Sequence, residues 1–183
     1  MNKWLKVSLS VVAIILIVIA GGSIYINLAY PDVGPPPDLK VEQTPAKIAR
    51  GKYLAEHVAV CIDCHSNRDF TKFAGPIKPG TEGIGGEMFP EEAGFPGTFY
   101  SANITPAGVG DWTDGELYRV ITTGVKRDGE PIFPVMPYLS YRHMAEEDVK
   151  SIIAYVRNLE RRENKIPESE PSFPFSVFIN FIP

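Results

Sequence analysis

The run Cys61-Ile62-Asp63-Cys64-His65 decides how this chain is read. Two cysteines three positions apart, followed at once by a histidine, form C-x-x-C-H, the pattern of covalent c-type haem attachment. One helical turn puts positions i and i+3 on the same face, so the two thiols can reach both vinyl groups of one porphyrin. The next residue, His65, then offers its imidazole to the iron as proximal axial ligand. The expected cofactor is one covalently bound haem c, held by thioethers at Cys61 and Cys64.

Other uses of the two cysteines fit poorly. A disulfide closing so short a loop removes little chain entropy. A zinc site needs about four ligands, and the remaining histidines, His57 and His143, do not form a second pair. A thioredoxin-like redox pair needs a βαβ context, which the sequence around residue 61 lacks. The chain has no further cysteine.

A haem iron held by His65 invites a second axial ligand. Met136 stands out in Phe133-Pro134-Val135-Met136-Pro137-Tyr138. Its flanking prolines restrict the backbone and hold a flexible thioether in place, and about 70 residues of chain allow it to cross to the other haem face. Met88, Met144 and His143 are weaker candidates. A gap-filling core role is the alternative for any lone methionine.

The 183 residues carry a net charge of −4, which points away from nucleic acid. Lys3 and Lys6 precede an almost unbroken apolar run from Val7 to Ile26, long enough to span a bilayer core. Positive charge before the run and Asp32, Asp38 and Glu42 after it put the N-terminus inside and the body outside. Five segments follow: a cytoplasmic N-terminus at 1–6, a transmembrane signal-anchor at 7–28, a proline-rich linker at 29–44, a haem domain at 45–166 and an apolar tail at 167–183. A cleaved signal peptide is the alternative for the first segments; either way residues 31–183 are exported. The expected location is the bacterial cytoplasmic membrane, crossed once, with the haem domain in the periplasm. The linker, with three consecutive prolines at 35–37, reads as an extended spacer that holds the domain off the lipid.

Three helices are predicted in the domain. Thr44-Pro45 reads as an N-cap and first helical position, opening a helix that runs towards the haem motif. Thr113 and Glu116 form a capping box, and Gly124 ends that helix. Glu146 to Leu159 carries an apolar stripe of Val149, Ile152, Ile153, Val156 and Leu159, with acidic residues in its first turn. Residues 66–111 read as irregular loops. The tail has three possible places: packed on the domain, at the bilayer surface, or on a partner.

Four further stretches join the haem motif: Ser101-Ala102-Asn103-Ile104-Thr105-Pro106, Gly110-Asp111-Trp112-Thr113-Asp114-Gly115-Glu116-Leu117, Pro134-Val135-Met136-Pro137-Tyr138, and the run Asp148–Leu159. In combination the chain resembles class I-type cytochromes c, and more closely single haem domains of membrane-bound alcohol and gluconate dehydrogenase cytochrome c subunits. The resemblance covers roughly residues 45–182. It implies an all-α, cytochrome c-like helical haem domain with long irregular loops, preceded here by one transmembrane helix. It also implies Met136 as sixth iron ligand, a pocket lined by Asn103, Ile104, Trp112 and Tyr138, and the carbonyl of Pro76 as acceptor for the His65 Nδ1–H. Those subunits carry several haem domains, whereas this chain has one C-x-x-C-H, which favours a simple shuttle or relay.

The expected function is that of an electron carrier rather than an enzyme, passing single electrons between redox proteins or a membrane respiratory complex, with no small-molecule substrate. One rival is an electron-transfer subunit of a larger dehydrogenase or oxidase. Another is a haem enzyme or sensor with an open sixth site.

Overall fold

In a computed structural model, residues 2–183 are described. Residue 1, part of the predicted cytoplasmic segment 1–6, lies outside them. Helix α1 (Lys3–Ala29) opens on Asn2, whose side chain accepts the Leu5 amide at 2.8 Å. No residue of α1 is buried in the protein. At 1.5 Å per residue it is about 40 Å long, which exceeds a hydrocarbon core of about 30 Å. Among the described residues it is the one helix long and apolar enough to cross a membrane.

The core is set by two helices distant in sequence. Helix α2 (Pro45–His57) begins as expected, with the Thr44 side chain accepting the Lys47 amide at 3.2 Å. Helix α7 (Glu146–Arg157) buries Val149, Ile152, Ile153 and Val156 against it, while Leu159 lies beyond its end, half-buried. The helices cross where Gly51 meets Ser151. A Cβ at Gly51 would stand 1.8 Å from the Ser151 carbonyl oxygen, so only glycine allows this approach. Leu54, Ala55 and Ala154 fill the crossing.

Short elements wrap this pair. Helix α3 (Cys61–Cys64) follows α2 directly, and α4 (Pro106–Val109) and α5 (Asp114–Thr123) close one side. The capping box of α5 is formed: Thr113 Oγ1 accepts the Glu116 amide at 3.1 Å and Glu116 Oε2 accepts the Thr113 amide at 2.7 Å. Gly124 ends α5 in the left-handed conformation, φ 75°. Helix α6 (Tyr138–Tyr141) leads towards α7.

The fold is not all-α. Strands β1 (Met88–Phe89), β2 (Gly97–Tyr100) and β3 (Glu170–Pro171) form a small antiparallel sheet in the order β1-β2-β3. Two of these strands have two residues each, too few to show period-2 alternation. Gly97 lets the tail lie close, since a Cβ there would meet the Glu170 carbonyl oxygen at 2.3 Å. The tail is thereby strapped onto the domain, and Phe175, which opens α8 (Phe175–Phe178), packs edge-on against Phe133 at 5.4 Å. Phe133 also stacks on Phe99 at 4.2 Å.

The proline-rich linker is not a free spacer. The Val41 amide donates to Asp114 Oδ2 at 2.8 Å, the Arg119 guanidinium donates to the Gly34 carbonyl at 3.3 Å, and Pro37 lies against Gly115 of α5. Extended polyproline-like chain has unpaired backbone groups, and α5 presents the partners for them.

Replacing Gly51 by alanine should force α2 and α7 apart and destabilise the domain by about 3 kcal/mol. Gly22→Ala, in open space on α1, should leave it unchanged. Urea unfolding of the full chain in detergent checks both; a loss below about 1 kcal/mol for Gly51→Ala would show that the crossing relaxes freely.

Candidate haem-attachment site

The motif is built from the end of α2. The amides of Val58 and Ala59 both donate to the Leu54 carbonyl, at 3.1 and 2.8 Å. Val60 then takes a left-handed conformation, φ 46°, and turns the chain into α3. Such a φ is uncommon for a β-branched residue; here it aims the motif. Ile62, 2% exposed, pins the turn into the core. From α6, the Tyr141 hydroxyl donates to the Ala59 carbonyl at 2.5 Å. Cys61 and Cys64 are free thiols, both half-buried, at the two ends of one helical turn. The His65 amide caps that turn by donating to the Cys61 carbonyl at 2.9 Å.

The His65 ring is oriented by one bond: Nδ1 lies 2.6 Å from the Ala102 carbonyl oxygen. A carbonyl only accepts, so Nδ1 carries the proton and Nε2 keeps its lone pair, the form a metal needs. Burial lowers the pKa of His65, partly opposed by that carbonyl. The expected acceptor, Pro76, is exposed, and its carbonyl instead takes the Asp69 amide at 2.9 Å. Pro76 closes its own loop rather than meeting His65.

Residues without a motif hold Ala102 in place. The Ser101 carbonyl and hydroxyl accept the amides of Gly86 and Glu87, at 2.9 and 3.0 Å. Gly85, φ 69°, donates its amide to the His65 carbonyl at 2.9 Å. A Cβ on Gly85 would stand 2.4 Å from the Ala102 oxygen. Fully buried Ser66 accepts the Gly83 amide at 3.1 Å. A cluster of glycines at 80–86 was the one sequence signal of this close approach.

The other expected pocket residues have mixed positions. Met136 is half-buried on the turn before α6 and borders the same core as Cys61, Ile77, Ile104 and Trp112. Asn103 uses its side chain structurally: Nδ2 donates to the Arg162 carbonyl at 2.8 Å, and Oδ1 accepts the Thr105 amide and hydroxyl at 2.9 and 2.7 Å. Trp112 offers its carbonyl to Arg157 and its ring to Arg127, 5.8 Å away. Tyr138 is fully buried against Gly124, and burial pushes its hydroxyl pKa up to about 12. That hydroxyl has no hydrogen-bond partner among the described residues. Of the other candidates, Met88 and His143 are exposed and Met144 is half-buried.

This donor set fits a haem c. Two thiols flank one turn, an imidazole has its distal nitrogen free, and a thioether borders the same core. Half-buried apolar side chains, Ile77, Ile104 and Trp112 among them, border that core as well. Among the described residues, no group of three or more His, Cys, Asp or Glu could hold a metal ion.

No family model matches the chain. It is 35% identical over 146 residues to the fructose dehydrogenase cytochrome subunit of Gluconobacter japonicus, covering 74% of this chain and 27% of that protein. It is 34% identical over 113 residues to the gluconate 2-dehydrogenase cytochrome c subunit of Pantoea cypripedii, covering 60% and 22%. A diheme cytochrome c-type protein of Cereibacter sphaeroides is 27% identical over 119 residues, covering 63% and 38%. By sequence, then, the chain is cytochrome c-like. More particularly, it resembles cytochrome c subunits of fructose, gluconate and alcohol dehydrogenases. It spans about a quarter of the length of those relatives.

Burial also pushes the Cys61 thiol pKa up to about 12 and raises that of Cys64, the latter helped by Asp63 and Glu87. A raised thiol pKa means the folded state disfavours thiolate. This contribution to stability is complete below the unfolded thiol pKa of about 8.5 and is lost as pH climbs from there towards the folded value. In haem-free protein at pH 8, iodoacetamide should alkylate Cys61 at least about a hundredfold faster in urea than in buffer. Equal rates would mean that the folded chain leaves the thiol open.

Proposed function

We propose that this chain is a membrane-anchored, monohaem c-type cytochrome that carries single electrons on the periplasmic side of a bacterial cytoplasmic membrane. The observation that carries the reading is the turn Cys61–Cys64 with His65 behind it, its Nδ1–H committed to the Ala102 carbonyl and its Nε2 free. When bound, the haem supplies an iron that takes up and gives back one electron. Cys61 and Cys64 would hold it by thioethers, and His65 would ligate one face. Met136 would supply the second ligand, a soft sulfur that favours the reduced state. With His65 and Met136 both committed to the iron, no substrate would need to reach the metal, which would suit a carrier better than an enzyme.

Helix α1 supports the anchor: Lys3 and Lys6 stand at its start and acidic residues follow its end. The anchor confines the search for a redox partner to the membrane plane and raises its effective concentration there. The partners would be redox proteins or a membrane respiratory complex. A second reading, an electron-transfer subunit of a larger dehydrogenase, draws on the printed names of the relatives, which are subunits of such enzymes. Co-purification with a dehydrogenase at high salt would favour it over a free shuttle.

The matured protein should show the weak red-edge absorption band of sulfur-ligated ferric haem. Met136→Ala should abolish that band and let the ferrous form bind carbon monoxide rapidly. A band that survives the substitution removes Met136 as ligand.

A further inference from the structure

The last residues pack against the mouth of the membrane helix. Asn180 Nδ2 lies 3.3 Å from Asn27 Oδ1, and the rings of Phe181 and Tyr30 are 4.8 Å apart. Asn27 belongs to the last turn of α1, and Tyr30 is its first residue outside. The tail therefore sits at the depth where a helix of this length leaves hydrocarbon for head groups, the zone that favours aromatic side chains.

Residues 171–183 carry no charged side chain. Ile179 and Asn180 are buried, facing α1 and the domain, while Phe173, Phe178 and Phe181 remain 80, 54 and 46% exposed. Leu28 and Tyr25, on the neighbouring turns of α1, are 83 and 65% exposed. Scattered apolar residues on a surface are ordinary, but a continuous set with no charge beside a membrane exit marks a lipid-facing patch.

We propose that the tail is a second, interfacial membrane contact: Phe178 and Phe173 dip into the lipid head-group region and fix the tilt of the domain on the bilayer. The proposal rests on the reading of α1 as a spanning helix. Its consequence is orientation. Phe175 packs on Phe133, so a tail seated in lipid turns the Phe133 face of the domain towards the membrane surface. The linker, bound along α5, leaves little slack for the domain to swing away.

The test uses the full-length, haem-matured protein in nanodiscs of phosphatidylcholine and phosphatidylglycerol. With both native thiols taken up by haem, a single added cysteine gives a unique site for a nitroxide spin label. Labels go on Ile17→Cys, Phe173→Cys, Phe178→Cys and Glu92→Cys, and an unaltered Soret band checks folding. The readout is the ratio of collisions with oxygen, which partitions into lipid, to collisions with a water-soluble nickel chelate. The ratio should be at least about threefold higher at 178 and at 173 than at 92. A smaller difference at 178, with a lipid-like value at 17, overturns the proposal and leaves the anchor standing. A water-like value at 17 overturns the anchor itself. Shielding of 178 from both reagents points to a protein cover and also overturns the proposal.

Discussion

Everything in the domain depends on the contact between Gly51 and the backbone of Ser151. At that point α2 and α7 approach closer than any side chain permits. The crossing fixes the end of α2, and the end of α2 fixes Val60, α3 and hence the direction of both cysteines and His65. It equally fixes the end of α7, where Arg157 and Arg162 reach out to the loops. The Arg162 carbonyl accepts from Asn103 and Thr105, immediately after Ala102. The attachment turn and the acceptor of its histidine are thus both hung from one pair of helices.

The charges divide sharply by burial. Arg157 donates to the carbonyls of Val109, Gly110 and Trp112 and to Asp114 Oδ1, and both charged side chains are less than a fifth exposed. Asp114 in turn accepts the Val41 amide. In such a site the cost of desolvation is high, but nearly every donor is used, and removing one member would leave the other charge stranded at about 3–5 kcal/mol. Surface pairs such as Arg161–Glu163, 64 and 76% exposed, contribute at most about 1 kcal/mol. Losing this one partly buried arginine therefore costs more than losing any single surface pair. Its job is to bind α7, the loop before α5 and the linker into one unit.

Local signals in the sequence corresponded to local structure. Thr44-Pro45, the Thr113–Glu116 box, Gly124 and the stripe from Val149 to Val156 each describe one helix or one of its ends, and each formed where expected. The motif at 61–65 was legible for the same reason, being a single turn. Features that join distant stretches were not. The acceptor for His65 is a backbone carbonyl, and Ala102 has no side chain to advertise it. The sheet depends on Gly97 meeting residue 170, and the linker's attachment depends on Gly115 and Arg119 meeting residues 34 to 37. Met136 lay between these cases: its prolines marked it locally, while its place at the border of the core is a property of the whole fold.

The Gly51 crossing also sets a timetable. A chain emerges N-terminal end first, so α2 and the two cysteines are made while α7, nearly 100 residues later, is still to come. Contacts of such sequence separation form late, since a long loop must close first. Through that interval the residues that surround Cys61 in the finished core are missing, and the burial that raises its thiol pKa comes only when α7 docks. The attachment turn is thus built from local contacts first and receives its core cover last.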